Sequence, residues 1–142
     1  MKNSALILAL AAVFAAGCSQ MSEMMHSAGE NVTLNSSSEV PAVTSQASGS
    51  GTVTVASDCT VTAKITVTGM TATASHIHQG ARGANGPVIV PFVKQGDDTF
   101  VAPPGAKMTE EQCKAYKAGN TYVNVHSAKH PGGEIRAQLK GS

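Results

Sequence analysis

The chain has 142 residues, of which 13% are charged and 4% aromatic, with ten basic and nine acidic side chains. A nearly neutral chain with two tyrosines and no tryptophan has neither the basic stripe nor the aromatic platform of a nucleic-acid binder. Its length allows one domain with a single modest core.

The chain opens on Lys2, an apolar run from Ala5 to Phe14, and the small residues Ala15, Ala16 and Gly17 before Cys18. That run is too short to span a bilayer and carries the flanks of an export signal, so residues 1–17 read as a signal peptide. Ala15-Ala16-Gly17-Cys18 resembles a bacterial lipoprotein cleavage box, with Ala15 where leucine is usual. The resemblance implies that Cys18 becomes a lipid-modified N-terminus. It also implies a place in the bacterial cell envelope, held on a membrane and facing the periplasm or exterior. The other reading is an ordinary signal peptide with an incidental cysteine. Removing Lys2 with the signal leaves nine basic against nine acidic side chains.

Residues 18–30 are polar, small and rich in methionine, and read as a flexible tether. Met21, Met24, Met25 and His26 offer soft ligands that suit Cu(I), so the tether is also a weak copper-site candidate.

From Val32 the pattern is that of strands, and residues 31–142 form the expected domain. Gly51 to Val55 alternates strictly, and Thr60 to Thr68 does so for longer, with Val61, Ala63, Ile65 and Val67 on one face. Ser57-Asp58 between them predicts an antiparallel hairpin. Gly69-Met70-Thr71 breaks the pattern before a strand at His76–His78, and the glycines from Gly80 to Gly86 mark a loop. Val88 to Val93 is apolar on both faces, which predicts a central strand. Asp97-Asp98 turns into a short strand ending at Val101.

Thr109-Glu110-Glu111-Gln112 is a capping-box sequence, and Gly119 follows the last turn, so a helix is expected over Thr109–Ala118. Tyr122–His126 and Glu134–Leu139 complete the strands, joined through Pro131-Gly132-Gly133. Short strands, Gly/Pro turns and one minor helix predict an all-β fold, an antiparallel Greek-key β-sandwich with a short helix in the C-terminal third. With Cys18 acylated, Cys59 and Cys113 are an even pair in an oxidising compartment, and a disulfide is the default. Two free thiols are the alternative.

Two blocks carry the chemistry. Side chains alternate along a strand, so His76 and His78 share one face while Ile77 points opposite. Likewise Val123 and Val125 share a face, and Tyr122, Asn124 and His126 the other. If these strands lie near each other, His76, His78 and His126 converge on one patch, a set of imidazoles suited to a metal. The rings can instead bond backbone groups and brace loops. His130 is expected to be a solvated loop residue, at most peripheral to the site. Ser75 and Ser127 adjoin histidines in sequence but face the other way, and no nucleophile elbow is present.

His76-Ile77-His78, Asn85-Gly86-Pro87-Val88, Ala118 to Ser127 and Pro131 to Leu139 together closely resemble the CHRD domain, from about Val32 to Ser142. The resemblance implies an extracellular or envelope β domain and says little about activity. A second similarity lies in the order of elements: a His-x-His strand, a strand ending Val-x-Val-His, a glycine-containing connection and an Arg-bearing strand. This order is similar to that of the copper ligands in Cu,Zn superoxide dismutase. It implies copper ligands at His76, His78 and His126, and Arg136 near the position of the arginine that attracts superoxide. The sequence departs from that pattern by having no bridging histidine between His78 and Val88 and no zinc-binding set in the Gly80–Gly86 loop.

The functional expectation is a lipid-anchored envelope module that binds a metal ion through strand histidines. Copper is preferred, and zinc can occupy the same ligands. The second reading is a structural or interaction β-sandwich with no metal. The third is a dismutase-like oxidoreductase, for which the bridging and zinc ligands are missing. Enzymatic activity is therefore not the expectation, and no catalytic residue is assigned. Arg136 is expected to pair with an acid such as Glu134 or with a loop carbonyl.

Overall fold

A computed structural model describes residues 28–141 of the chain. The signal segment 1–17, Cys18, and the tether ligands Met21, Met24, Met25 and His26 lie outside the described residues.

The elements in chain order are β1 (Glu30–Asn35), β2 (Ser48–Val55), β3 (Val61–Thr68), β4 (Ala72–Gln79) and β5 (Val88–Pro91). They continue with β6 (Val93–Lys94), β7 (Thr99–Val101), α1 (Glu110–Lys117), β8 (Thr121–Ser127) and β9 (Ile135–Gln138). The strands form one sheet in the order β5-β4-β8-β9-β1-β2-β3-β7-β6, with antiparallel pairing throughout. The architecture is all-β with one short helix, as the strand pattern predicts. The two layers of the sandwich are halves of a single sheet wrapped until its ends nearly meet.

That wrapping explains one departure from expectation. The apolar run Val88–Val93 is not a central strand. It divides at Phe92 into β5 and β6, which occupy the opposite ends of the sheet. Val88 and Val93 are 47% and 46% exposed, whereas Phe92 turns inward and its N–H bonds to the Ser75 carbonyl. Edge strands leave one side unpaired, so hydrophobic residues there reach solvent.

Alternation along the strands builds the core. Val53 and Val55 of β2, Ile65 and Val67 of β3, Ile77 of β4, Val123 and Val125 of β8 and Ile135 of β9 all point inward and are buried. Each such side chain contributes roughly 1.5–3 kcal/mol by leaving water. Ile77 therefore fixes which face of β4 is outward, and His76 and His78 fall on that face.

α1 begins where the capping box predicts. Thr109 is the N-cap, with its hydroxyl accepting from the Gln112 N–H and the Gln112 side chain accepting from the Thr109 N–H. Glu110 and Glu111 sit in the first turn and Lys114 and Lys117 in the last, complementing the helix dipole. Cys113 on this helix is bonded to Cys59 in the β2–β3 turn, with the two Cα atoms 5.8 Å apart. The disulfide thus joins the helix to the early hairpin, as expected.

Candidate metal centre

β4 and β8 pair antiparallel, with His76 opposite Asn124, His78 opposite Tyr122 and Ala74 opposite His126. His126 is thus diagonal to His76 across the strands, and the small Ala74 beside it leaves room for both rings. The three imidazoles share the outward face, and one nitrogen of each lies within 4.8 Å of the others. Alternation brings the predicted trio together, and no other group of three or more such ligands occurs among the described residues.

Hydrogen bonds identify the nitrogens that are free. His78 Nδ1 lies 2.9 Å from the Gly86 carbonyl, and His126 Nδ1 lies 2.9 Å from the Pro131 carbonyl. A carbonyl only accepts, so each Nδ1 carries the proton and each Nε2 presents its lone pair. His78 is 8% exposed, and its Nε2 is buried with no partner. His126 Nε2 faces His76 Nδ1 at 3.0 Å. A proton on His76 Nδ1 can occupy that gap, and its transfer to Nε2 of the same ring exposes a third lone pair.

A metal about 2.0–2.1 Å from each nitrogen requires nitrogen separations of about 2.9–4.2 Å, so the trio needs to close by less than about 1 Å. The backbone carbonyls that hold His78 and His126 are the second-shell partners that orient metal-binding imidazoles. Charge also favours the neutral rings. Burial, together with the neighbouring His126 and His78, lowers the His76 pKa to about 4. Burial lowers that of His126 as well, against the bond to Pro131 and aided by His78.

The remaining expectations divide. His130 is a half-buried loop residue rather than a fully solvated one. The Ser127–His130 turn folds it back, and its Nε2 is shielded from solvent without a partner, outside the trio. Arg136 does not sit where an anion could meet it, since it is 2% exposed. Its guanidinium instead donates to Asn85 Oδ1 at 3.0 Å and to the Ala84 carbonyl at 2.6 Å. The loop-carbonyl partner is the expected one, while Glu134 is held by the hydroxyls of Ser45 and Ser127. Ser75 is buried and donates to the Asn124 carbonyl, so it is no nucleophile. The bond of His126 to the Pro131 turn is the loop-bracing contact the sequence allows, whereas Gly86 and the stacking of Tyr122 on His78 escaped it, because they depend on how the Gly80–Gly86 loop and β8 lie against β4.

Neither curated proteins nor solved structures gave a match to this chain. The family model of the CHRD domain matches residues 31–139, all but the first residue of the span from β1 to the end of β9 that builds and orients the trio. The chain belongs to the CHRD domain family.

Proposed function

We propose that this CHRD domain is a lipid-anchored envelope module that binds one copper ion through His76 Nδ1, His78 Nε2 and His126 Nε2. The observation that carries the proposal is the buried, unpartnered Nε2 of His78, on a ring grouped with two other imidazoles that each offer a nitrogen within 4.8 Å. Leaving a buried polar atom without a partner costs about 1–3 kcal/mol, and a metal removes that cost. The loop-bracing alternative accounts for Nδ1 of His78 and of His126 but leaves this second nitrogen unexplained.

Copper is chosen over zinc on the order of the strand histidines, which is similar to that of the copper ligands in the dismutase, since three neutral imidazoles suit either ion. Cys59 and Cys113 are tied up in the disulfide, so a Cu(II) site without thiolate should lack an intense blue colour. Titrating the purified exported protein with Cu(II) should show one equivalent bound, with nitrogen coupling in its magnetic resonance spectrum. Binding at less than one equivalent, or without nitrogen coupling, would reject the site.

Acid should weaken the metal-free fold through the same residues. In the folded state the His76 pKa is lowered from 6.5 to about 4, so between these values the unfolded chain binds more protons. Stability from this group is complete above about pH 6.5 and declines as pH falls towards 4. The lowered pKa of His126 acts in the same direction. Unfolding temperatures measured from pH 7.5 to 4.5 should fall more steeply for the wild type than for His76→Gln. Parallel slopes would show that His76 is not held neutral.

For the envelope anchor, Lys2, the apolar run and Ala15-Ala16-Gly17-Cys18 support lipid attachment at Cys18. Cys18→Ser should release the protein into the soluble fraction or block its processing. A wild-type protein recovered only in soluble fractions with an unmodified N-terminus would exclude the anchor.

A further inference from the structure

We infer that Arg136 is a positioning residue of the three-histidine centre, setting the tautomer and ring plane of His78 through the Ala84–Gly86 loop and the Tyr122 ring. The inference deepens the metal-binding reading and rests on it. Arg136 lies on β9, and β8 separates that strand from the His78 strand β4. It acts at one remove.

Two routes run from the guanidinium to the imidazole. The first passes through Tyr122. The Arg136 Cζ atom lies 3.3 Å from the centroid of the Tyr122 ring. The His78 ring stacks on the same phenol at 4.9 Å between centroids, with the planes only 5° apart. Because β8 lies between β9 and β4, the cation and the imidazole approach the ring from opposite sides. A planar guanidinium can lie flat on an aromatic face while its N–H groups reach outward in the same plane.

Those N–H groups supply the second route. Nη1 donates to Asn85 Oδ1 and Nη2 to the Ala84 carbonyl, and Asn85 Nδ2 donates onward to the Val40 carbonyl at 2.7 Å. The next residue, Gly86, has both backbone groups engaged at the site. Its carbonyl accepts the His78 Nδ1 proton, and its N–H donates to the Tyr122 hydroxyl at 3.1 Å. A Cβ on Gly86 would lie 1.6 Å from the Gln79 carbonyl oxygen, so the loop lies directly against the end of β4. Without the Arg136 fork, the Ala84 carbonyl loses its side-chain donor and Asn85 keeps only its bond to the Val40 carbonyl, so the Gly86 carbonyl is held less firmly above His78. The imidazole could then carry its proton on Nε2 and withdraw the lone pair from the metal.

The test uses nitrogen magnetic resonance of the imidazoles in the metal-free, exported protein, together with Cu(II) titration. In the wild type, His78 should be a single tautomer with Nδ1 protonated. Arg136→Lys keeps the charge but loses the planar fork. It should give mixed His78 tautomers and about 10–100-fold weaker Cu(II) binding, the usual cost of losing a second-shell partner. His126 is held by Pro131 on another loop and serves as an internal control, so its tautomer should not change. Asn85→Ala, at an exposed position, and Tyr122→Phe, which keeps the ring, should move His78 in the same direction. These two decide the matter if Arg136→Lys fails to fold. A folded set of variants that keeps the single His78 tautomer overturns the inference, as does an equal loss at His126. If the wild type binds no copper, the metal reading fails, and the metal-free tautomers still decide whether Arg136 positions His78.

Discussion

His78→Ala and His126→Ala are each expected to abolish stoichiometric Cu(II) binding, while His130→Ala leaves it intact. His78 and His126 each contribute a nitrogen whose orientation is set by a backbone carbonyl, from Gly86 and Pro131 respectively. Removing either leaves two imidazoles and no other group of metal-binding side chains nearby among the described residues. Two nitrogens on a rigid sheet bind far more weakly than three, so affinity should fall by at least about 100-fold, a loss of about 2.7 kcal/mol or more. His130 is outside the trio, and its substitution removes no ligand. The same contrast should appear in the thermal shift. At free Cu(II) about 100 times the dissociation constant, binding stabilises the wild type by about 2.7 kcal/mol, and the shift should vanish in the two variants alone. Wild-type binding retained in both variants would place the metal elsewhere, and the tether residues Met21 to His26 would be the next ligands to test.

Cys113→Ser is expected to lower stability by about 2–5 kcal/mol. The disulfide spans 54 residues of sequence, and closing a loop of that size is worth about 4 kcal/mol in the chain-entropy description. Cys113 is also 2% exposed, so a serine hydroxyl would be placed in an apolar setting. The helix packs its buried face through Cys113 and Tyr116, and the remaining contact should hold it less firmly than the sheet is held. Hydrogen exchange should therefore rise first in α1 and only at lower overall stability in β2 and β3. Denaturant titration of oxidised wild type and variant measures the difference. Equal midpoints would show that the sheet alone carries the stability.

Much of this molecule is written in local pattern. The alternation of Val61, Ala63, Ile65 and Val67 and the Thr109–Gln112 cap depend on neighbours in sequence, the disulfide follows from the count of cysteines, and each leads to the observed feature. The same period places Ile77 inward and His76 and His78 outward, because a strand has only two faces. Val88–Val93 failed as a central strand for the opposite reason. An apolar run records that burial is available, not which strands lie beside it, and here the sheet reaches both of its ends within six residues. The convergence of His126 on His76 required β4 and β8 to be neighbours, a pairing across about fifty residues that no local signal states. The tautomers of His78 and His126 required two loops to return over the sheet with their carbonyls in place. The burial of Arg136 on the outer face required β9 to lie beside β8 under the Ala84–Gly86 loop. Sequence alone determined which side chains share a face, since that follows from backbone geometry within one strand. Tertiary structure decided which faces meet, since that depends on strands far apart in the chain, and which nitrogen of each histidine is free, since that depends on how the adjoining loops fold back to place the Gly86 and Pro131 carbonyls.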